Sequence, residues 1–295
     1  MGANNTNHYS YMRGFWWSIA ASALCAFNDF LMKKIGIKLS GGVTLFFRFF
    51  FSCIMFLPYI ILRPGLFKTR HMWVHCIRGG LFALAMLPWS YGLIKIPLPI
   101  VTIISFATPF FVTFLSVLWN KETMTMSRTL ALVAGFSGII IGATGSGQWT
   151  SFNMIYLAIA LGATFLFAVL DVLNKKMLTL NENVPSLIMH SAFWTSVFSL
   201  PFAARDWCTP TTSDLAYLAV LGMGANALLG CLLKASQSVK DLSSLQPLRY
   251  SEFIFSCLFS IIFFNHYPNT SSLIGIAFIL PSAIYLMRKE KKSDT

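Results

Sequence analysis

The sequence predicts an all-α integral membrane protein of ten transmembrane helices, built as two inverted five-helix repeats, and three observations predict it. Of the 295 residues 56% are hydrophobic and only 11% are charged, with a mean hydropathy of +0.67. A chain this apolar has too few polar side chains to cover a water-facing surface, so it takes lipid as its solvent. Apolar runs close to the ~20 residues needed to cross a bilayer core recur ten times. Motifs of the first half return, in order, in the second half.

The ten runs are Gly14 to Ile35, Val43 to Leu62, Met72 to Ile94, Leu98 to Trp119, Arg128 to Thr144, Phe152 to Leu173, Pro185 to Ala204, Leu215 to Leu233, Leu242 to Phe264 and Leu273 to Met287. Short loops separate them, with breakers such as Arg63-Pro64-Gly65, Gly145-Ser146-Gly147 and Tyr267-Pro268-Asn269, and they leave no room for a soluble catalytic domain. Phe15 to Phe27, after Arg13 and with Ala21-Ser22-Ala23, has the outline of a cleaved signal peptide, but the repeat needs it as a helix.

The net charge of +12 raises the question of nucleic acid, yet the basic residues fall singly or in pairs between apolar runs, not along one polar face. Membrane orientation explains them better. With the N-terminus in the cytoplasm, Arg13, Arg63, Lys68, Arg70, Lys121, Arg128, Lys175, Lys176, Lys234, Lys240, Arg288, Lys289, Lys291 and Lys292 lie inside, against Lys33, Lys34, Lys38, Lys95 and Arg205 outside. The positive-inside rule then places both termini in the cytoplasm. Trp16, Trp17, Trp73, Trp149 and Trp207 fall near span ends, where an aromatic belt holds them. Cys25, Cys53, Cys76, Cys208, Cys231 and Cys257 show no C-x-x-C spacing and read as small apolar fillers.

The repeat has an offset of 140 to 144 residues. Asn28-Asp29-Phe30-Leu31-Met32-Lys33-Lys34 returns as Leu170-Asp171-Val172-Leu173-Asn174-Lys175-Lys176. Arg48, Leu57-Pro58 and Arg63 answer to His190, Leu200-Pro201 and Arg205, while Gly79 answers to Gly222 and Gly135 to Gly275. The halves are residues 1–147 and 148–295. Five spans per half is an odd number, so the second half enters the membrane from the opposite side. Such halves supply two near-equivalent packings around a midplane site, the physical basis of alternating access.

A charge at the bilayer centre costs at least about 2.5 to 3.5 kcal/mol, so each one needs a partner or a wet cavity. Seven titratable residues lie within or near the spans: Asp29, Arg48, Arg78, Asp171, His190, Arg249 and Glu252. Arg249 and Glu252, three apart with Tyr250 beside them, share a helix face. They suit the carboxylate and ammonium of a zwitterion, or else neutralise each other. Asp29 with Lys33, and Asp171 with Lys175, have helix salt-bridge spacing, and both aspartates also suit a cavity wall or a proton carrier. Arg48, within Leu45-Phe46-Phe47-Arg48-Phe49-Phe50-Phe51, should point inward as a cavity group or an interhelical anchor. Arg78 is placed to snorkel to the headgroups, and His190 reads as a hydrogen-bonded packing residue.

Trp89, Tyr91 and Phe106 offer a stacking surface for a planar base or a cation, or simply pack in a chain that is 15% aromatic. The Gly138-to-Gly142 spacing permits close helix approach within one chain and, less directly, a weak homodimer. No Walker loop, H-E-x-x-H or nucleophile with its base is present, so neither ATP-driven pumping nor hydrolysis is supported, and no cofactor or metal is expected.

These features resemble the EamA-type carriers of the drug/metabolite transporter superfamily over essentially the whole chain. The closer resemblance is to the S-adenosylmethionine uptake transporters of obligate intracellular bacteria. It is carried by Asn28-Asp29, Phe47-Arg48-Phe49-Phe50-Phe51-Ser52, Arg78-Gly79, Trp89-Ser90-Tyr91-Gly92, Ser105-Phe106-Ala107-Thr108-Pro109, Leu170-Asp171, Asn174-Lys175-Lys176 and Arg249-Tyr250 with Glu252. His266 departs from it, since the resembling proteins tend to carry an acidic residue there. The resemblance implies a carrier of the bacterial inner membrane that imports S-adenosylmethionine, with Asn28, Asp29, Arg48, Trp89, Tyr91, Phe106, Asp171, Arg249, Tyr250 and Glu252 around the substrate. The rival readings are an exporter of amino acids or related metabolites, a lipid-modifying enzyme and a non-transporting assembly protein.

Overall fold

A computed structural model of the chain describes residues 10–36, 38–95, 104–144, 154–264 and 270–293. Among these the regular structure is helical: α1 (Tyr11–Gly36), α2 (Gly41–Leu62), α3 (Met72–Lys95), α4 (Thr108–Asn120), α5 (Met126–Thr144), α6 (Met154–Thr179), α7 (Val184–Arg205), α8 (Thr212–Ser238), α9 (Ser251–Phe264) and α10 (Thr270–Ser293). Two 3-10 segments, Pro64–Phe67 and Leu242–Tyr250, lie between them. Tyr11–Met32, Gly41–Leu62, Ala158–Thr179, Val184–Arg205 and Thr212–Ser238 are long and apolar enough to cross a bilayer. Gly145-Ser146-Gly147, Trp149 and the turn containing His266 lie outside the described residues.

Two spans differ from the sequence expectation. The run Leu98 to Trp119 is interrupted: Ile104 and Ser105 are helical, Phe106 and Ala107 form a turn, and α4 starts at Thr108 with Pro109 in its first turn, where its missing N–H costs nothing. The run Leu242 to Phe264 is not one helix: a 3-10 segment reaches Tyr250, and α9 begins only at Ser251. The polar side chains there bond to the backbone, Ser244 Oγ donating to the Asp241 carbonyl at 2.8 Å and Gln246 Nε2 to the Leu242 carbonyl at 3.2 Å, and Pro247 has no N–H to give. Elsewhere the ends are conventional, with Ser40 capping α2 and a Thr211/Asp214 capping box starting α8.

The packing has an internal correspondence. Helix α1 lies on α8 and α9, as α6 lies on α3 and α4; α2 lies on α8, as α7 lies on α3; α2 meets α7, and α5 meets α10. Exchanging the first five helices for the last five returns the same set. The backbone N–H of Ser10, just before α1, donates to the Ser238 carbonyl at 2.8 Å, and Lys175 near the end of α6 donates to the Ser236 and Val239 carbonyls. The start of α1 and the end of α6 therefore meet the same end of α8. At the other end of the bundle Ser40 Oγ donates to the Asp206 carbonyl at 2.9 Å.

Glycines permit the closest crossings, and they do so in matching places. A Cβ on Gly222 would lie 2.7 Å from the Arg48 carbonyl oxygen, and one on Gly79 would lie 3.0 Å from the Thr195 nitrogen, so α8 rests on α2 as α3 rests on α7. A Cβ on Gly138 would lie 2.7 Å from the Gly275 carbonyl oxygen of α10, so its small size serves packing within one chain. Gly222→Val is expected to destabilise the protein by about 1–3 kcal/mol through overpacking. The check is the thermal unfolding midpoint of the detergent-solubilised protein; an unmoved midpoint would contradict the α2–α8 contact.

The surface is apolar and the interior carries the polar groups. Phe114 is 60% and Ile262 is 65% exposed, while Asn28, Arg48, Thr164, Ser191 and Ser199 are buried. Water would penalise that distribution and hydrocarbon rewards it.

Candidate functional site

The interior polar groups converge on one cavity of about 170 Å³, walled by α1, α2, α3, α4, α6, α7, α8, α9 and the break before α9. That volume has room for on the order of ten waters, so its charged groups border a cavity rather than a close-packed core. Its walls lie well inside their helices: Cys25 and Asp29 in α1, Met86 in α3 and Asp171 in α6.

Eight of the ten residues expected at a substrate site line this cavity: Asn28, Asp29, Arg48, Trp89, Phe106, Asp171, Arg249 and Glu252. Tyr91 belongs to α3, but its side chain lies outside the described residues. Tyr250 is the correction: it is fully buried and turned away, its ring where a Cβ on Gly135 would be. Successive residues of any helix point about 100–120° apart, so Arg249 and Tyr250 meet different walls. Arg249 thus faces the cavity, while Tyr250 backs it, packing edge-on to Phe106 with centroids 5.8 Å apart.

The pairing of charges also differs from expectation. Arg249 and Glu252 both line the cavity, although the 3-10 segment ends between them. Arg249 Nη1 instead donates to Asp171 Oδ2, an ion pair between the 3-10 segment and α6. The two side chains keep 23% and 18% exposure, so the pair borders the cavity water. Lys175 turns to the end of α8 rather than along its own helix to Asp171. The side chain of Lys33 lies outside the described residues, so its expected pairing with Asp29 is not on view.

Glu252 has different company. One ligand atom each of Cys25, Asp29 and Glu252 lies within 4.8 Å of the others. Cys25 is a cavity group and not a filler; the clue available in sequence was its position one turn before Asp29 on α1. Arg48 is 5% exposed, and its Nη1 donates to the thioether of Met32 at 3.0 Å. Asn28 Nδ2 donates to the Leu24 carbonyl at 2.8 Å. At the aromatic end, Phe82 and Trp89 approach the ring of Phe167 with centroids 5.8 and 6.2 Å away. Sequence reasoning missed Phe82 and Phe167, which are ordinary members of apolar runs.

Arg78 does not snorkel. It is 1% exposed, Nε donating to Asn174 Oδ1 at 2.9 Å and Nη1 meeting His75 Nδ1 at 3.0 Å. His190 is a packing residue, its ring stacked on His75 at 4.5 Å and bonded to the Ser186 carbonyl at 2.9 Å. This network stands behind Asn174, which lines the cavity. A second polar cluster was not foreseen. Arg128 at the start of α5 holds Glu290 through two bonds of 2.9 and 3.1 Å and Asp241 at 3.0 Å, and Glu122 accepts from the backbone N–H groups of Leu242 and Ser243 at 2.9 Å each. Their sequence spacing gave no sign of it, because the partners come from three separate loops and helix ends.

Known proteins resemble this chain over nearly all of it. The profile of the EamA-like transporter family matches residues 12–143 and 154–288. A protein of Rickettsia bellii named S-adenosylmethionine uptake transporter is 34% identical over 285 residues, 96% of each chain. One of the same name from Rickettsia prowazekii is also 34% identical, over 96% of this chain and 95% of that one. A riboflavin transporter of Brucella anthropi is 27% identical over 92% of this chain and 96% of its own. A crystal structure aligns with a TM-score of 0.75 at 16% identity, covering 92% of this chain and 97% of the other, which shows a shared fold.

Proposed function

The chain belongs to the EamA-like transporter family, and from that premise we propose that it imports S-adenosylmethionine across the bacterial inner membrane by alternating access, in exchange for S-adenosylhomocysteine. The observation that carries this reading is the cavity, where anionic, cationic and aromatic walls meet inside the helix bundle. S-adenosylmethionine presents an amino-acid zwitterion, a sulfonium cation and an adenine, and each has a complement there. The charged wall of Asn28, Asp29, Arg48, Asp171, Arg249 and Glu252 receives the head, while Trp89 and Phe106, with Phe82 and Phe167, receive the adenine. An aromatic face also attracts the sulfonium, by about 0.5–2 kcal/mol.

Alternating access follows from reading residues 1–147 and 148–295 as inverted repeats. Three observations support that: the family profile matches twice, the principal helix contacts correspond on exchange of the halves, and α1 begins where α6 ends. The breaks before α4 and α9 supply the interrupted helices on which carriers of this architecture build their sites. Phe106 and Tyr250, 144 residues apart, meet at these two breaks. In this reading the Arg128 cluster closes the cytoplasmic end, the side of both termini and of most basic loops. The monomer carries one complete cavity and is the transporting unit. The relatives named above offer no counterpart to an exporter of amino acids or to an assembly role.

The test is uptake of labelled S-adenosylmethionine by the purified protein in liposomes. Uptake is expected to be saturable, faster when the vesicles are preloaded with S-adenosylhomocysteine, and insensitive to an excess of single amino acids. Absence of saturable uptake contradicts the proposal.

A further inference from the structure

We infer that Arg48, Asp29, Glu252 and Cys25 form the subsite for the amino-acid head of the ligand. Arg48 takes the carboxylate and the Asp29–Glu252 pair takes the ammonium. This rests on the transport reading above, and it reassigns the arginine that sequence spacing favours.

Arg249 has its counter-ion, because Asp171 accepts from its guanidinium. Arg48 has none. Among the described residues no carboxylate lies within ion-pair distance of it, its Nε has no hydrogen-bond partner, and Nη1 reaches only the weakly accepting sulfur of Met32. The ring of Phe49, 5.5 Å from the guanidinium, offsets only part of its lost hydration. A guanidinium on a residue only 5% exposed, facing a cavity and without a bonded anion, suits an anion that arrives with the ligand. Its planar fork matches a carboxylate.

The complementary wall stands beside it. Cys25 Sγ and one oxygen each of Asp29 and Glu252 lie within 4.8 Å of one another, so two carboxylates repel across a gap that a cation would relieve. An ammonium has three N–H donors, which the carboxylate oxygens of Asp29 and Glu252 can accept. An α-amino acid bears its two charges on one carbon, so its receptors must be neighbours. Met32, which Arg48 touches, is three residues beyond Asp29 on α1 and hence on the same helix face. From this corner the remainder of the ligand runs toward Trp89 and Phe106, which line the same cavity.

Equilibrium binding of three ligands to the detergent-purified protein tests the assignment: S-adenosylmethionine, its decarboxylated analogue and its deaminated analogue. Wild type should prefer the intact ligand to either analogue by about tenfold or more, the worth of a charged hydrogen bond. Arg48→Gln should remove most of the preference over the decarboxylated analogue, and Asp29→Asn or Glu252→Gln most of that over the deaminated one. Arg48→Lys, which keeps the charge and loses the fork, should fall between and guards against a misfolded glutamine variant. The inference is overturned if wild type binds the decarboxylated analogue as tightly as the intact ligand, if Arg48→Gln weakens all three equally, or if Arg249→Gln alone collapses the ratio. If wild type binds free α-amino acids and Arg48→Gln abolishes that, the head subsite stands and only the substrate reading falls. If it binds none of these compounds, both fall.

Discussion

Asp171→Asn is expected to cost about 2 kcal/mol of stability and to reduce S-adenosylmethionine uptake at least tenfold, whereas adding Arg249→Gln restores stability but not uptake. Removing one member of a fully buried ion pair costs about 3–5 kcal/mol, because the survivor is left charged in a poor solvent. Here the side chains retain 18% and 23% exposure, so cavity water moderates the penalty. The unpaired Arg249 would add positive charge to a chamber that must admit a sulfonium and an ammonium, which is why uptake suffers beyond stability. The double variant is neutral again, so the two stability losses should be far from additive. Thermal unfolding of the four proteins of the cycle measures this. Additive losses would show that Asp171 and Arg249 are not coupled and would remove the pairing between α6 and the 3-10 segment.

Arg128→Gln is the second large effect, and it acts on the balance between conformations more than on folding. Arg128 joins the start of α5 to Glu290 of α10 and to Asp241 before the 3-10 segment. Losing a bidentate pair and a single one at partly exposed positions is worth about 2 kcal/mol. If this cluster closes the cytoplasmic end, the ratio of closed to open shifts about thirtyfold toward open. Spin labels on Thr123 and Arg288, flanking the cluster, should then report a longer and broader distance distribution, and uptake should slow because the return step is trapped. An unchanged distribution would show that the cluster is structural and not a closure.

Hydropathy and loop chemistry made the helical runs legible, and five of the described helices are long and apolar enough to cross a bilayer. The recurring Asn28-Asp29 and Leu170-Asp171 segments likewise located both halves of the cavity wall. What spacing alone obscured was local geometry. Pro247, with Ser243, Ser244 and Gln246, signalled that the ninth run could not be one regular helix. Arg249 and Glu252 both line the cavity, while Tyr250 packs behind its wall against Phe106. The partners of Arg249, Arg78 and Arg128 lie 78, 96 and 162 residues away in Asp171, Asn174 and Glu290. No i, i+4 rule reaches those distances, because tertiary packing sets the pairing.

Cys25 allows the central claim to be tested inside the molecule, since of the six cysteines it alone is among the residues lining the cavity. In a variant with the other five replaced by serine or alanine, the rate of Cys25 alkylation by a small thiol reagent would be measured with and without S-adenosylmethionine. If this chamber carries the substrate, saturating ligand should slow the reaction at least tenfold, at concentrations matching those that saturate uptake. Alkylation at the same rate with and without ligand, in a protein that still transports it, would mean that S-adenosylmethionine travels by another route.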